Sequence, residues 1–420
     1  DAAYGVYEFC VDAPSVTLPK AMIARPDVAI VTTVEHDHLM FYKTLEGVAD
    51  QKSLLFNGLV PGGTVILNRD NALFDRLLAA AKAKGVRSIM SFGTHAEADV
   101  RATAFDMSDD GSRVKALVHG VAVEYQLKQP GRHMIMNSLA VLAAVEAVGG
   151  DVVRAAADLG DYAGLAQRVE RHRVEVEDGH FDIIDDSFSA NPASIRAGLD
   201  VLSLQRPGAG GRRLAVLGEI KELGKDSPAI HAALSDSVMA AKVERLFTIG
   251  DDMLPMRDKL PKQILGAHCA SGVELSTAVA AEIRAGDVIL VKGSRRTPEN
   301  TAPTIKALLA KAAKGPKKKV DRTDAAVPGD RKDVLPPAAG AGRNLPPIWS
   351  GAELVRATGG TWLGAGKEAV KAYGVCFYFS QVRKGDLFIT TSRQNWGCAY
   401  QDNHDCLKDQ QGLQINAIYL

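Results

Sequence analysis

Short apolar runs at residues 28–34, 65–68, 181–185, 213–217, 245–249 and 288–291 are separated by stretches of helical periodicity. A strand that is apolar along its whole length is stable only when both of its faces are covered, and the intervening helices supply the covers. The pattern therefore predicts an α/β chain of βαβ units built on parallel sheets. Helices are expected at residues 44–58, 71–85, 132–148, 193–204, 228–241, 272–284 and 304–313. Residues 101–127 alternate more loosely and run into Pro130-Gly131, which predicts antiparallel strands at a sheet edge.

The alternation stops at residues 315–347, which hold six of the 18 prolines, almost no large apolar side chain and interleaved Lys/Arg and Asp. Such a segment buries too little surface to offset its ordering entropy and is expected to be a disordered linker. Its Lys317-Lys318-Lys319 cluster has aspartates close by and no interleaved aromatic, as a solvated linker does. Beyond it, a short helix is expected at 349–359 and strands at 374–379 and 386–390. The terminal run 413–420 is strand-like but has no evident partner, as in an incomplete domain.

Fifty Lys and Arg balance 50 Asp and Glu over 420 residues. That balance argues against generic nucleic-acid binding, which needs cationic excess to displace counterions. No apolar run approaches the roughly 18 residues of a membrane span. Five cysteines without a C-x-x-C pair provide neither a disulfide framework nor a zinc set, and a reducing, cytoplasmic setting is expected. Cys10, Cys269 and Cys376 are expected to be buried as small apolar residues. The first residue is Asp1, and the chain is expected to begin after processing or within a longer reading frame.

Ligands in open parallel sheets bind beyond the carboxyl ends of the strands. There the runs deliver Glu35-His36-Asp37-His38, Asp185-Asp186-Ser187, Gly218-Glu219 and Lys292-Gly293-Ser294-Arg295-Arg296. Each could be a solvated loop; together they suit a metal-bound polyphosphate. The Glu35–His38 cluster alone reads as a polar turn slightly more readily than as a metal site. On the following helix Lys52 shares a stripe with Leu45, Val48, Ala49, Leu55, Phe56 and Leu59, so it either snorkels or needs a partner or a neutralising modification. No G-x-x-x-x-G-K-[ST] loop occurs. Gly218 to Gly224-Lys225 and Gly360 to Gly366-Lys367 each have one residue too many and continue into a carboxylate.

The stretches VTTVEHDHL, EGVADQKSLLF, NRDN, GRHMIMNSLAVLAA, IIDDSFSANPASIRAGLDVL, VLGEIKELGKDSPAIH and GDVILVKGSRRTPEN resemble, in order and spacing, the ATP-dependent Mur ligases of peptidoglycan synthesis. IDDSFSANP and LGEIKELG favour the D-alanyl-D-alanine-adding branch, MurF, over its sisters. The resemblance implies a central ATPase domain lacking its phosphate loop at 1–164 and a Rossmann-like carboxyl-terminal domain at 165–314. It further implies the linker at 315–347 and a partial amino-terminal substrate domain at 348–420, as in a fragment of a tandem protein.

What the resemblance implies residue by residue is as follows. Glu8 and His38 would bind Mg2+, and Lys52 would be carbamylated and act as a further ligand, the three forming the catalytic set. Asn137, Arg168, Asp186 and Asn191 would contact ATP, while Glu222, Lys292, Ser294 and Arg295 would line the substrate side. The implied partners are ATP, a UDP-N-acetylmuramoyl-peptide and D-alanyl-D-alanine or a similar amine acceptor, joined through an acyl phosphate by a monomeric enzyme. Met134, Thr33, Phe188-Ser189 and Phe379-Ser380-Gln381 depart from the family pattern and bear on the substrate more than on the fold. With no phosphate-cradling loop in its sequence, the isolated chain is expected to show negligible ATPase or ligase turnover. Phosphate release stimulated by a peptide substrate would contradict this.

Overall fold

The computed structural model describes residues 5–9, 11, 14–293 and 300–312, together with the strand segments 349–350, 371–372, 374–376, 386–391 and 415–419. Two compact units are present, one of residues 1–21 and 25–313 and the other of 22–24 and 314–420. The first unit contains two six-stranded sheets.

The first sheet is entered through α1 (Thr17–Ala24) and runs in simple spatial order: β1 (Val28–Val31), β2 (Thr64–Asn68), β3 (Ser88–Gly93), β4 (Val100–Ser108), β5 (Gly111–Val118) and β6 (Val121–Leu127). Neighbours from β1 to β4 are parallel, and β4, β5 and β6 form an antiparallel meander. Between β1 and β2 lie α2 (Leu39–Tyr42) and α3 (Leu45–Ser53), and α4 (Phe74–Ala83) precedes β3; α5 (Arg132–Ala147) and α6 (Val152–Asp158) follow β6. The period of two along β2 feeds two cores. Ile66 joins Phe92, Val114, Ile135 and Leu139 beneath α5, while Val65 and Leu67 join Val48, Phe56, Phe74 and Leu77 beneath α3 and α4.

The second sheet comprises β7 (Glu170–Val176), β8 (Gly179–Asp186), β9 (Arg213–Gly218), β10 (Arg245–Ile249), β11 (Leu265–Cys269) and β12 (Val288–Lys292), in the order β11-β10-β9-β12-β8-β7. All pairs are parallel except β7 with β8. On one face α7 (Pro192–Leu204) and α8 (Ser227–Ala240) cover Ile184, Leu217, Leu246 and Leu290. A short α9 (Leu254–Arg257) follows β10. On the other face α10 (Gly272–Glu282) and α11 (Ala302–Leu309) cover Ile183, Val216, Phe247 and Val291. This is the α/β architecture that the alternation predicts and the Rossmann-like one that the resemblance implies.

Several expectations are corrected. The first strand stops at Val31, and its burial alternates, because among the described residues it pairs only with β2. The helix expected over 44–58 divides into α3 and a 3-10 turn at Leu54–Gly58. There the chain approaches α1 so closely that a Cβ on Gly58 would lie 2.1 Å from the Ala21 carbonyl oxygen. Strands β3, β7 and β11 were not anticipated. β7 (ERHRVEV) carries charge because it is an edge strand with a solvated face.

In the second unit β13 (Trp349–Ser350) pairs antiparallel with β14 (Lys371–Ala372), so the helix expected over 349–359 does not begin there; residues 351–359 lie outside the described residues. β15 (Gly374–Cys376) pairs parallel with β16 (Asp386–Thr391), and β17 (Ile415–Tyr419) pairs antiparallel with β16. The terminal run thus has a partner. Residues 315–347 lie outside the described residues.

A buried carboxylate ties three strands of the second sheet at their entry. Asp287, 1% exposed, accepts from Arg212 N at 2.9 Å, Arg212 Nη2 at 2.8 Å and Arg284 N at 3.0 Å, while its carbonyl accepts from Asp182 N at 3.0 Å. Asp287→Ala leaves a guanidinium and two amides without their acceptor, and we expect a loss of about 3–5 kcal/mol in denaturant unfolding of the unit. A loss below about 1 kcal/mol would show that the network is dispensable.

Candidate functional site

Where β1 ends, side chains take over from the ladder. Asn68 Nδ2 donates to the Thr32 carbonyl at 2.9 Å, and Asn71 Nδ2 donates to Thr33 Oγ1 and to the Val34 carbonyl, each at 3.1 Å. These two asparagines of NRDN hold the polar loop Glu35–His38 out of the sheet. That loop meets the second sheet: Glu35 lies 3.6 Å from Arg196 of α7, and Met40 N donates to the Glu222 carbonyl at 2.8 Å. His38 Nδ1 is hydrogen-bonded to the Glu222 carboxylate. Both residues have left-handed backbones, φ 53° at His38 and 64° at Glu222, so each turn is bent to make the contact. The structure thus brings two predicted residues together, but pairs Glu222 with His38 and not with Lys292.

At the adjacent carboxyl ends of β8 and β12, Lys292 and Asp186 form an ion pair of 3.0 Å. Lys292 is 2% exposed, and its ammonium also donates to the carbonyls of Ser189 at 2.6 Å and Asp186 at 3.2 Å. Burial pushes the lysine pKa down and the aspartate pKa up, each opposed by the charge of the other. The pair holds because three oxygens surround the ammonium. Beside it Arg168 stacks 4.3 Å from the centre of the Phe188 ring. Phe188 N donates to the Gln167 carbonyl at 3.3 Å, and Gln167 and Val169 adopt φ of 61° and 58°. For a β-branched valine that conformation is strained, and the turn it makes lays Arg168 across Phe188.

His133, in the first turn of α5, is the neighbour that sequence reasoning missed. Its Nδ1 is closed off from solvent and has no hydrogen-bond partner. Gly131 permits the close packing: its φ is 110°, and a Cβ there would lie 2.8 Å from His133 Cε1 and 2.9 Å from Val201 Cγ2 of α7. Only the position of His133, two residues after Pro130-Gly131, signalled an enclosed helix start.

The other predicted residues lie on different elements or loops. Asn137 is exposed on α5. Asn191 caps α7, its Oδ1 accepting from Ser194 N at 2.8 Å, with Ser194 Oγ returning the bond from Asn191 N at 2.9 Å. Glu8 is exposed, and Lys52 is half-buried in the last turn of α3. On its stripe Val48, Ala49 and Phe56 are buried, while Leu45, Leu55 and Leu59 are half-buried. Ser294 and Arg295 lie outside the described residues. Among the described residues, Glu8 and His38 belong to no group of three or more His, Cys, Asp or Glu side chains that could hold a metal ion. Cys269 is buried, as expected.

Burial and the Lys292 charge pull the His133 pKa down from 6.5 to about 4. Its folded pKa lies below its unfolded one, so the native state holds it neutral. The stability this contributes is complete above pH 6.5 and is lost as pH falls towards 4. We expect the parent chain to lose up to about 3 kcal/mol more than His133→Asn over that interval in denaturant titrations. Parallel curves would contradict the assignment.

Comparison with known proteins follows the two sheets. The sequence model described as Mur ligase middle domain matches residues 1–145, and that described as Mur ligase, glutamate ligase domain matches residues 167–295. The UDP-N-acetylmuramoyl-tripeptide–D-alanyl-D-alanine ligase of Escherichia coli is 30% identical over 276 residues, 65% of this chain and 58% of that protein. The ligase of the same name from Rickettsia prowazekii is 23% identical over 70% of this chain and 64% of its own length. A UDP-N-acetylmuramate–L-alanine ligase of Streptomyces avermitilis is 28% identical over 64% of this chain and 58% of its own length. The chain therefore spans about three-fifths of the length of these curated relatives. Among solved structures, MurF from Acinetobacter baumannii superimposes with a TM-score of 0.59 at 23% identity, covering 70% of this chain and 61% of that one. MurF from Thermotoga maritima in complex with ADP gives 0.59 at 20% identity, covering 71% of this chain and 65% of that one. Two consecutive family matches, each lying over one of the two sheets, make this chain a member of the Mur ligase superfamily.

Proposed function

We propose that the chain is the nucleotide-closing part of an ATP-dependent carboxylate–amine ligase of peptidoglycan precursor synthesis, with 1–164 as its central domain and 165–314 as its carboxyl-terminal domain. The observation that carries the reading is the charged rim of the second sheet: Lys292, Asp186 and the Arg168–Phe188 stack at the ends of β8 and β12, beside α5 of the first sheet. In such a ligase ATP phosphorylates a carboxylate, and the acceptor amine attacks the acyl phosphate, releasing ADP and phosphate. The residues here would bind and orient the reactants. Arg168, spread over Phe188, offers a flat cation beside a nucleotide. Lys292 fixes Asp186 at the strand end, and the His38–Glu222 contact brings the two sheets' loops together, which aligns groups held on each. Magnesium is expected with the nucleotide from family membership, and no step is derived through it.

The finer reading is MurF-like: D-alanyl-D-alanine joined to a UDP-N-acetylmuramoyl-peptide in the cytoplasm. It rests on the IDDSFSANP and LGEIKELG stretches and on the names of the relatives above. Among the described residues no helix is long and apolar enough to cross a membrane, which accords with soluble substrates.

Calorimetric titration with ADP tests the nucleotide site. Arg168→Ala is expected to weaken binding by about tenfold, equivalent to about 1.4 kcal/mol; an unchanged affinity, or no binding to the parent chain, would overturn the assignment. A second reading is a non-catalytic nucleotide- or precursor-binding module. The coding sequence upstream of Asp1 separates the two. A G-x-x-G-K-[ST] loop within about 30 residues supports the ligase, and a start codon there without one supports the module.

A further inference from the structure

Below the rim, on the β7–β8 edge, two carboxylates and an imidazole converge. Glu170 and Asp185 face one another in the antiparallel register, and His172, two residues along β7, projects to the same face. One ligand atom of each lies within 4.8 Å of the other two. Asp185 is 3% exposed, and two carboxylates directly opposite on paired strands repel unless a cation sits between them. The Lys292 ammonium is committed to Asp186 and to two carbonyls. We propose that Glu170, His172 and Asp185 bind a divalent cation of the Zn2+, Mn2+ or Co2+ class, a site separate from the nucleotide rim.

Each donor is already oriented. Asp185 Oδ1 accepts from Ser187 N at 3.0 Å and from Ser187 Oγ at 2.6 Å, and Glu170 Oε2 accepts from Gln167 N at 2.9 Å. These outer bonds hold the carboxylates as outer-shell partners hold metal ligands. His172 Nε2 is closed off from solvent and has no hydrogen-bond partner, and it lies 3.7 Å from Glu170 Oε1. A cation about 2.1 Å from each donor places tetrahedral donors about 3.4 Å apart, so this pair needs to close by only a few tenths of an ångström. One imidazole and two carboxylates suit borderline cations better than Ca2+, which takes oxygen ligands alone. The two carboxylate charges would be neutralised by the ion, leaving a coordination position for water.

The site has a structural consequence. Glu170 follows the strained Gln167–Val169 turn that carries Arg168, and Asp185 precedes Asp186. An ion bridging them would pin the edge strand to β8 immediately behind the rim.

The test uses the full chain, freed of metal with a chelator and titrated with Co2+, reading visible absorption, bound equivalents and thermal unfolding. The parent is expected to bind one more equivalent than His172→Gln or Glu170→Gln, with a Co2+ spectrum that neither variant gives. Zn2+ is expected to raise its melting temperature by several degrees, and theirs less. Equal stoichiometry, spectra and melting shifts in parent and variants would overturn the proposal. Far-UV circular dichroism of the metal-free variants establishes that they fold, and the two substitutions report independently.

Discussion

Parallel strands satisfy one another's backbone groups side by side, and this leaves two bare apolar faces to be covered. Nearly everything in the two large sheets follows from that requirement. Val65 and Leu67 must meet α3 and α4 while Ile66 meets α5; Ile183 must meet one helix layer and Ile184 the other. Helices on both faces leave only the strand ends open, and the polar chemistry of the chain is confined there.

The same constraint explains why charged side chains can be so deeply placed. Asp287 sits at the amino-terminal side of the second sheet, where amides entering β9 and β12 converge on its carboxylate. Lys292 sits at the carboxyl side, where strand ends present carbonyls to its ammonium. A buried charge in either place is tolerable because the sheet's own geometry supplies oriented partners of opposite polarity. The two rims are therefore unlike: at one a carboxylate gathers backbone amides, and at the other an ammonium gathers a carboxylate and carbonyls.

Much of this was legible in the chain. Runs buried on both faces, such as residues 213–217 and 245–249, were located to within a residue, since they are too short for helices and alternate with helical stretches. Edge strands were not legible. β7 alternates charge with little apolar content, and the interruption at Gly266 and His268 concealed β11. Pairing can stabilise such strands without demanding a covered face. The motif residues Asp186, Lys292, His38 and Glu222 were named from sequence, but their partners were not. Glu222 reaches His38 only because two loops with left-handed turns come together across 184 residues of chain. The only signal for His133 was its place after Pro130-Gly131, because its enclosure depends on the approach of Gly131 to Val201.

The sequence by itself determined the α/β class, the polar endings of the strands and the family resemblance, because each is written in local composition or in order along the chain. Tertiary structure alone decided which charges meet. It set Lys292 against Asp186, His38 against Glu222, and Glu170 with His172 against Asp185. The reason is physical: hydrophobic periodicity depends on a residue's own neighbours, whereas the partner of a buried charge is fixed by strand order, register and loop approach, which bring together residues up to 184 positions apart.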